Sequence, residues 1–267
     1  MSSTFCSTSR TARQVSQRAE VRVDEVEIDV EVRTAEEVRA RVVILASILR
    51  RLALEDATQD GEGDPHAEAF DEREWLRDQG LTSQLTAREA AFLDSPLGSI
   101  TLNAILDFSW QGEALAALAW AVGVRDMPPI DAISDLGPIM DLVPGPWDTI
   151  KAWMSDSAIV SEPDAVWERE RAEIWHWRAT TELLRREASP AERSDYEAAI
   201  AEVAAEAHAA GIVAALHECD FQLRGRSIRE ISNTELDELT DITGQRLRAL
   251  NWLCGFGTSW DVVPLDV

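Results

Sequence analysis

Glu113 is the residue of this sequence with the clearest capacity for chemistry. It stands at the edge of a run, residues 114–122, that is apolar at every position. An unpaired carboxylate at the margin of a core costs several kcal/mol, so Glu113 requires a partner. A late helical segment supplies three candidates for that partner, which are Arg246, Arg248 and Asn251.

Two interpretations of this polar cluster follow. In the first, Glu113, an arginine, Trp110 and Trp252 line a pocket in which Glu113 is an acid–base or anchoring group, the arginine clamps an anion and Asn251 orients the ligand. In the second, which the sequence favours, a buried ion pair fixes how two core helices register. The same residues serve both interpretations.

Metal and cofactor chemistry have little support. Glu173 and His176 have the Glu-x-x-His spacing of di-iron helical bundles, but such sites need two of these motifs, and no other histidine has a glutamate three residues before it. Dinucleotide-binding, Walker A, Gly-x-Ser-x-Gly, His-Glu-x-x-His and Cys-x-x-Cys strings do not occur. We therefore predict no metal, no cofactor and no catalytic residue, and lean against an enzyme.

The charge composition excludes other functions. The 267 residues hold 49 acids and 25 bases, for a net charge of -24. Such a field repels phosphate backbones and anionic lipids, so neither nucleic-acid binding through a basic face nor membrane association is expected. Three cysteines at no recognisable spacing, with no secretory signal ahead of them, indicate a reducing compartment and a cytoplasmic location.

The N-terminal part of the chain differs from the rest. Residues 1–19 carry three arginines and no acid, and we expect a disordered basic arm. In residues 20–33, valine and isoleucine alternate with charged residues, which predicts a β-strand or an extended segment. Since the remainder has no second strong strand pattern, this strand would pair with a second copy of the chain or with another protein.

From Thr34 onward the signals are helical. Four pairs of Ser or Thr with Glu three residues later predict capping boxes, at Thr34, Thr86, Ser189 and Ser232. The predicted fold is all-α for the most part, a single multi-helix globular domain over 34–267 with a short N-terminal strand or extended arm. We expect helices at about 35–54, 68–79, 87–94, 100–123, 146–154, 163–187, 190–217 and 233–254, with 114–122 central.

A proline-rich stretch interrupts these helices. Residues 127–146, here called the proline segment, hold five prolines and two glycines, which is incompatible with a regular helix. The segment also carries eight large apolar residues, so we expect it to pack on the domain or to cover a groove. Two of the chain's ten tryptophans, Trp147 and Trp153, border it and are candidate lid or contact residues.

Seven strings of the sequence look familiar together, and these are residues 74–81, 90–93, 108–115, 118–123, 220–225, 245–253 and 260–264. In this order they resemble a bacterial family known as domain of unknown function 4272. The resemblance runs from about Thr34 to the C-terminus and implies a mostly helical soluble domain with no assigned activity. It agrees with the choice of Trp110, Glu113, Arg246, Asn251 and Trp252 as residues of interest.

Three functions agree with these observations. The favoured hypothesis is a non-catalytic, cytoplasmic, protein-interaction module, acidic and adaptor- or immunity-like, whose negative surface steers a basic protein partner. The first alternative is an enzyme or small-ligand binder with a tryptophan-lined polar pocket between helices 100–123 and 233–254. The second alternative is a structural subunit of a larger assembly, with the N-terminal strand as its contact.

Overall fold

The computed structural model describes residues 30–60 and 63–265 and, among these, all side chains except those of residues 58–60. The predicted basic arm and residues 20–29 of the predicted strand therefore lie outside the described residues. Residues 30–34 have no regular secondary structure. The rest is predominantly helical, as predicted, with one small antiparallel sheet.

The elements are numbered here in chain order. The helices are α1 (Ala35–Asp60), α2 (Pro65–Asp78), α3 (Ala87–Asp94), α4 (Leu102–Ser109), α5 (Gln111–Ala121), α6 (Gly137–Met140), α7 (Lys151–Ser155), α8 (Glu162–Glu187), α9 (Pro190–Ala209) and α10 (Asn233–Leu253), and the strands are β1 (Leu216–His217), β2 (Asp220–Leu223) and β3 (Arg226–Ser227).

The described residues divide into two compact units. The large unit comprises residues 31–176 and 238–265, and the small unit comprises Val30 and residues 177–237. The division falls inside α8 and α10, so each of these helices contributes to both units.

The core of the large unit is built on α1 and α5, which pack against each other. Residues 114–122 of α5 and its end are buried except for the half-buried Trp120, so the prediction of a central helix there is confirmed. Residues 38–48 of α1 are buried at every position, including Arg39 and Arg41. Sequence reasoning placed no buried charge in α1.

In the large unit, one predicted helix is divided in two and another is shortened. The segment 100–123 is two helices, because α4 ends at Ser109 and α5 begins at Gln111. Between them the amide of Glu113 donates to the carbonyl of Trp110, an i to i+3 bond that tightens the chain locally. Of the predicted helix 146–154 only α7 forms, since Trp147 has a φ of 76°, which a right-handed helix cannot contain.

The small unit contains three short strands, although the sequence after residue 33 shows no second strong strand pattern. The predicted helix 190–217 ends at Ala209, where Gly211 follows with a φ of 80°. The chain then forms a three-stranded antiparallel sheet in the order β1-β2-β3. Two-residue turns join the strands, and all four turn residues, Glu218, Cys219, Arg224 and Gly225, have positive φ, as tight hairpins require.

All four predicted capping boxes are confirmed. At Thr86 and Ser189, for example, the glutamate carboxylate accepts the cap amide, and the cap side chain accepts the amide of the glutamate. The equivalent pairs at Thr34 and Ser232 have the same reciprocal bonds. Within the described part of the chain, no helix is both long enough and apolar enough to span a bilayer.

Candidate functional site

The structure pairs Glu113 with Arg246, and both side chains are almost wholly buried. Glu113 Oε2 accepts from Nε of Arg246 at 2.9 Å and from Nη2 at 2.7 Å. The same carboxylate accepts the amide and the hydroxyl of Ser134, each at 2.8 Å. Both oxygens of Glu113 are therefore engaged within the protein.

The guanidinium of Arg246 likewise makes all of its hydrogen bonds to acceptors within the protein. Beyond Glu113 it donates to the carbonyl oxygens of Pro129 at 2.7 Å and Ala132 at 2.8 Å, with a longer bond to Pro128. Burial lowers the pKa of Arg246, and the charge of Glu113 opposes that shift. The pair thus ties the proline segment to α5 and α10.

Gly112 contributes to the same attachment. A Cβ built at Gly112 would lie 2.6 Å from Cδ1 of Leu136, so a larger residue there would force the side chain of this leucine of the proline segment to shift. A small cavity of about 10 Å³ lies beside Arg246, lined also by Pro128, Arg171 and Leu250. A space of that size accommodates about one water molecule. The geometry around Glu113 is that of a packed, hydrogen-bonded anchor.

The other predicted site residues on α10 lie in different surroundings. Arg248 donates to the carbonyl of Trp260 at 2.9 Å, and its guanidinium lies over the Trp260 ring. The Trp252 ring meets Trp260 edge to face, with centroids 5.5 Å apart. The guanidinium of Arg33 covers Trp252 at 4.5 Å. These residues hold the C-terminal segment of the large unit.

Asn251 and Trp110 complete the predicted cluster. Asn251 accepts from Nε of Arg169 at 2.9 Å and donates to the carbonyl of Pro264 at 2.8 Å. Trp110 is half-buried and occupies the junction of α4 and α5. Of the six residues grouped from the sequence, the structure thus joins Glu113 and Arg246 directly, and it places Arg248 and Trp252 against a shared third residue.

The two tryptophans that border the proline segment differ sharply. Trp153 is half-buried, its indole donates to the carbonyl of Arg39 at 3.2 Å, and the guanidinium of Arg39 lies over its ring. Trp147 is 85% exposed. It combines this exposure with its left-handed backbone, which bulky residues rarely adopt.

Side chains of three other residues hold the turn that carries Trp147. In this turn, Gly145–Asp148, the Asp148 amide donates to the Gly145 carbonyl. The Arg50 guanidinium of α1 donates to the carbonyls of Val143 at 2.8 Å and Pro144 at 3.1 Å. From α2, the Trp75 indole donates to the Asp148 carbonyl at 2.8 Å, and Gln79 accepts the amide of Ile150.

The small unit contains a charge network that sequence reasoning missed. Arg178 donates to both carboxylate oxygens of Asp220, at 2.6 and 2.7 Å, and all three side chains of Arg178, Glu182 and Asp220 are fully buried. Glu182 also accepts from Arg185 and Arg186. The i, i+4 spacing of Arg178 and Glu182 was the available signal, but nothing in the sequence linked it to Asp220.

Burial and the neighbouring arginines shift the pKa values of Asp220 and Glu182 in opposite directions. For Asp220, burial raises the pKa, but the hydrogen bonds and charge of Arg178 outweigh it, and the pKa lies below its usual value. For Glu182, burial also raises the pKa, but the hydrogen bonds from Arg185 and Arg186 lower it by more. The pKa of Glu182 therefore lies below its usual value. Both groups are therefore charged in the folded protein at neutral pH.

No group of three or more His, Cys, Asp or Glu side chains in the described regions could hold a metal ion. His176 instead lies with Nδ1 at 3.2 Å from the hydroxyl of Thr243 and against Gly244, where a Cβ would stand 3.1 Å from its ring. The pKa of Glu173 is raised by burial, against the opposing charge of Arg169.

Comparison with known protein families identifies one match, to a domain of unknown function (DUF4272), over residues 7–210. The chain belongs to the DUF4272 family. The matched residues begin earlier than the sequence resemblance suggested and end before the sheet, so the strings at 220–225, 245–253 and 260–264 lie beyond the match. Neither the curated proteins nor the solved structures contain a match to this DUF4272 chain.

Proposed function

We propose that this DUF4272 protein is a non-catalytic protein-interaction module, and that its contact surface is the proline segment together with the Gly145–Asp148 turn. The observation that carries the proposal is the 85% exposure of Trp147 in a left-handed conformation. Tryptophan is the residue type most enriched among those that dominate binding energy in protein interfaces. Backbone strain of this kind is typical of functional positions.

The turn is suited to binding because its shape is set before a partner arrives. Trp75 bonds the backbone of the turn, and Arg50 and Gln79 bond the backbone on either side of it, so none of these bonds uses the Trp147 side chain. A preorganised contact loses less conformational entropy on association, which raises affinity. Leu142, 56% exposed, adds apolar surface in the proline segment.

The electrostatics of this surface favour a basic partner. Residues 126–156 contain six aspartates and one basic residue, Lys151, within a chain of net charge -24. Complementary charge accelerates encounter and selects among partners. We infer a basic protein with a pocket for an indole ring, met in the cytoplasm of a bacterium, a location supported by the odd cysteine count and by the sequence resemblance.

The test is a paired capture experiment. Full-length protein, Trp147→Ser and Trp167→Ser are immobilised separately, and proteins from a lysate of the source organism are recovered at low and at moderate salt. Trp167 is the matched control because it is also exposed, at 40%, but lies on α8. Recovered proteins are compared by mass spectrometry, and each candidate partner is then purified and titrated calorimetrically.

A partner that binds the wild type and Trp167→Ser but not Trp147→Ser supports the proposal. Its affinity for the wild type should fall with rising salt, because exposed charges are screened. Recovery of the same proteins by all three baits, or of none, counts against Trp147 as the contact.

A further inference from the structure

Arginine side chains cover aromatic rings at several places in the large unit. Eight such pairs occur among the described residues, with the guanidinium carbon between 4.5 and 5.7 Å from the ring centroid. Contacts of this kind are attractive because a cation meets the negative face of the ring. The pairs are Arg33–Trp252, Arg39–Trp153, Arg41–Trp260, Arg51–Phe92, Arg73–Phe70, Arg88–Phe108, Arg169–Phe256 and Arg248–Trp260.

Trp147 stands outside this pattern. It has no arginine over its ring in the described part of the chain, and its ring is the most exposed of the large apolar side chains given above. The next residue, Asp148, is also exposed, and its Oδ2 accepts only a longer bond from the Gly145 amide, at 3.2 Å. An open aromatic face and a carboxylate on adjacent residues are the two groups that a guanidinium binds.

We propose that Trp147 and Asp148 form a receptor for an arginine side chain of a partner protein. The proposal rests on the proposed function, since it names the chemical group that the interaction surface recognises. The arginine stacks on the Trp147 indole and pairs with the Asp148 carboxylate.

Arginine fits this receptor better than lysine for two reasons. Its guanidinium is planar, so it lies flat on an indole while its edge still donates to a carboxylate. It is also more weakly hydrated than an ammonium group, so it loses less on leaving water. The eight internal pairs use arginine alone, although the single lysine of this chain makes that choice unavoidable within it.

The test uses small peptides, so that it does not depend on finding the partner. Full-length protein labelled with ¹⁵N in its indoles is titrated with acetylated, amidated hexa-arginine, hexa-lysine and hexa-citrulline, and NMR follows the indole N–H resonances. Citrulline has the shape of arginine without its charge. The Trp147 resonance is identified as the one missing from Trp147→Leu.

We expect hexa-arginine to shift the Trp147 resonance, hexa-citrulline to leave it unchanged, and hexa-lysine to bind more weakly. Trp147→Leu should weaken hexa-arginine binding about twofold to fivefold, the range of an exposed cation–π contact. Trp167→Leu is the matched control and should leave the affinity unchanged. Asp148→Asn should weaken binding while preserving the turn, because the amide oxygen still accepts from Gly145.

Equal binding of hexa-arginine and hexa-lysine, or equal losses in Trp147→Leu and Trp167→Leu, would overturn the receptor. Either result would leave the proposed function standing if the capture experiment had found a partner that depends on Trp147. Conversely, a specific hexa-arginine shift without any captured partner would support the receptor and argue against the wider function.

Discussion

Arg246 Nη2 lies 2.7 Å from Glu113 Oε2, and the same guanidinium donates to the carbonyls of Pro129 and Ala132 in the proline segment. One buried ion pair therefore connects three parts of the large unit that are distant in sequence. Every nitrogen of the Arg246 guanidinium and both oxygens of Glu113 make hydrogen bonds in this arrangement.

Replacing Glu113 by Gln should lower the free energy of unfolding by about 3 kcal/mol, because it leaves the Arg246 charge buried without a carboxylate. Asp107→Asn is the matched control. It removes an Asp–Arg pair of the same 2.7 Å separation, but both partners are exposed, so the loss should stay below about 1 kcal/mol. Urea unfolding followed by circular dichroism measures both, and equal losses would show that burial does not matter here.

Local sequence patterns predicted the features that depend on residues close together in the chain. The capping boxes at Thr86 and Ser189 are formed within four residues, and the central position of residues 114–122 follows from their composition alone. The strands were missed because two to four residues are too few for alternation to appear. Their turn at Glu218 and Cys219 also lacks the glycine or asparagine that marks a hairpin.

Long-range pairing could not be predicted in the same way. Glu113 had two arginines as equivalent candidate partners in sequence, and only the packing of α10 selects Arg246. Asp220 and Arg178 are separated by more than forty positions, and no periodicity connects them. The turn that carries Trp147 is held by bonds from Arg50 to two backbone carbonyls. Every residue has a backbone carbonyl, so the residue types do not show which carbonyls accept these bonds.

The buried network of the small unit predicts a dependence of stability on pH. The pKa of Asp220 is lowered in the folded state, so its contribution to stability is fully present above the unfolded pKa, near 3.8, and is lost as pH falls through the lower folded value. The pKa of Glu182 is also lowered in the folded state, from an unfolded value near 4.5, so its contribution to stability is lost in the same way as pH falls. Wild-type stability should therefore decline below about pH 4.5.

Asp220→Asn tests that assignment. At pH 7 the variant should be less stable by about 3 kcal/mol, since the buried Arg178 loses the carboxylate that accepts its two shortest bonds and keeps only the longer one to Glu182. The difference between wild type and variant should shrink as pH falls below 4, because protonation removes the same charge from the wild type. Thermal unfolding at a series of pH values measures this difference, and a constant difference across the series would refute the role of Asp220.

Arg50 should control the order of the Gly145–Asp148 turn. Arg50→Lys retains the charge near Glu72 but replaces two guanidinium donors, which bond Val143 and Pro144, by a single ammonium. The amide of Asp148 should then exchange with deuterium at least tenfold faster. Amides of α9, in the small unit, provide the internal reference, and unchanged exchange at Asp148 would show that Trp75 and Gln79 hold the turn alone.

Because the backbone of Trp147 is left-handed, we expect glycine and alanine substitutions there to reverse their usual order of stability. Alanine keeps a Cβ, and so keeps the steric cost of a φ of 76°, whereas glycine adopts this conformation freely. Trp147→Gly should therefore be more stable than Trp147→Ala by about 1 kcal/mol, although glycine is the less stable of the two at ordinary positions. At Trp167, which lies inside α8 near its N-terminal end, the same two substitutions should show the ordinary order, with alanine more stable by about 1 kcal/mol. Chemical denaturation of the four variants measures both differences. If glycine is the less stable residue at both positions, Trp147 carries no backbone strain, and its exposure alone must support a binding role.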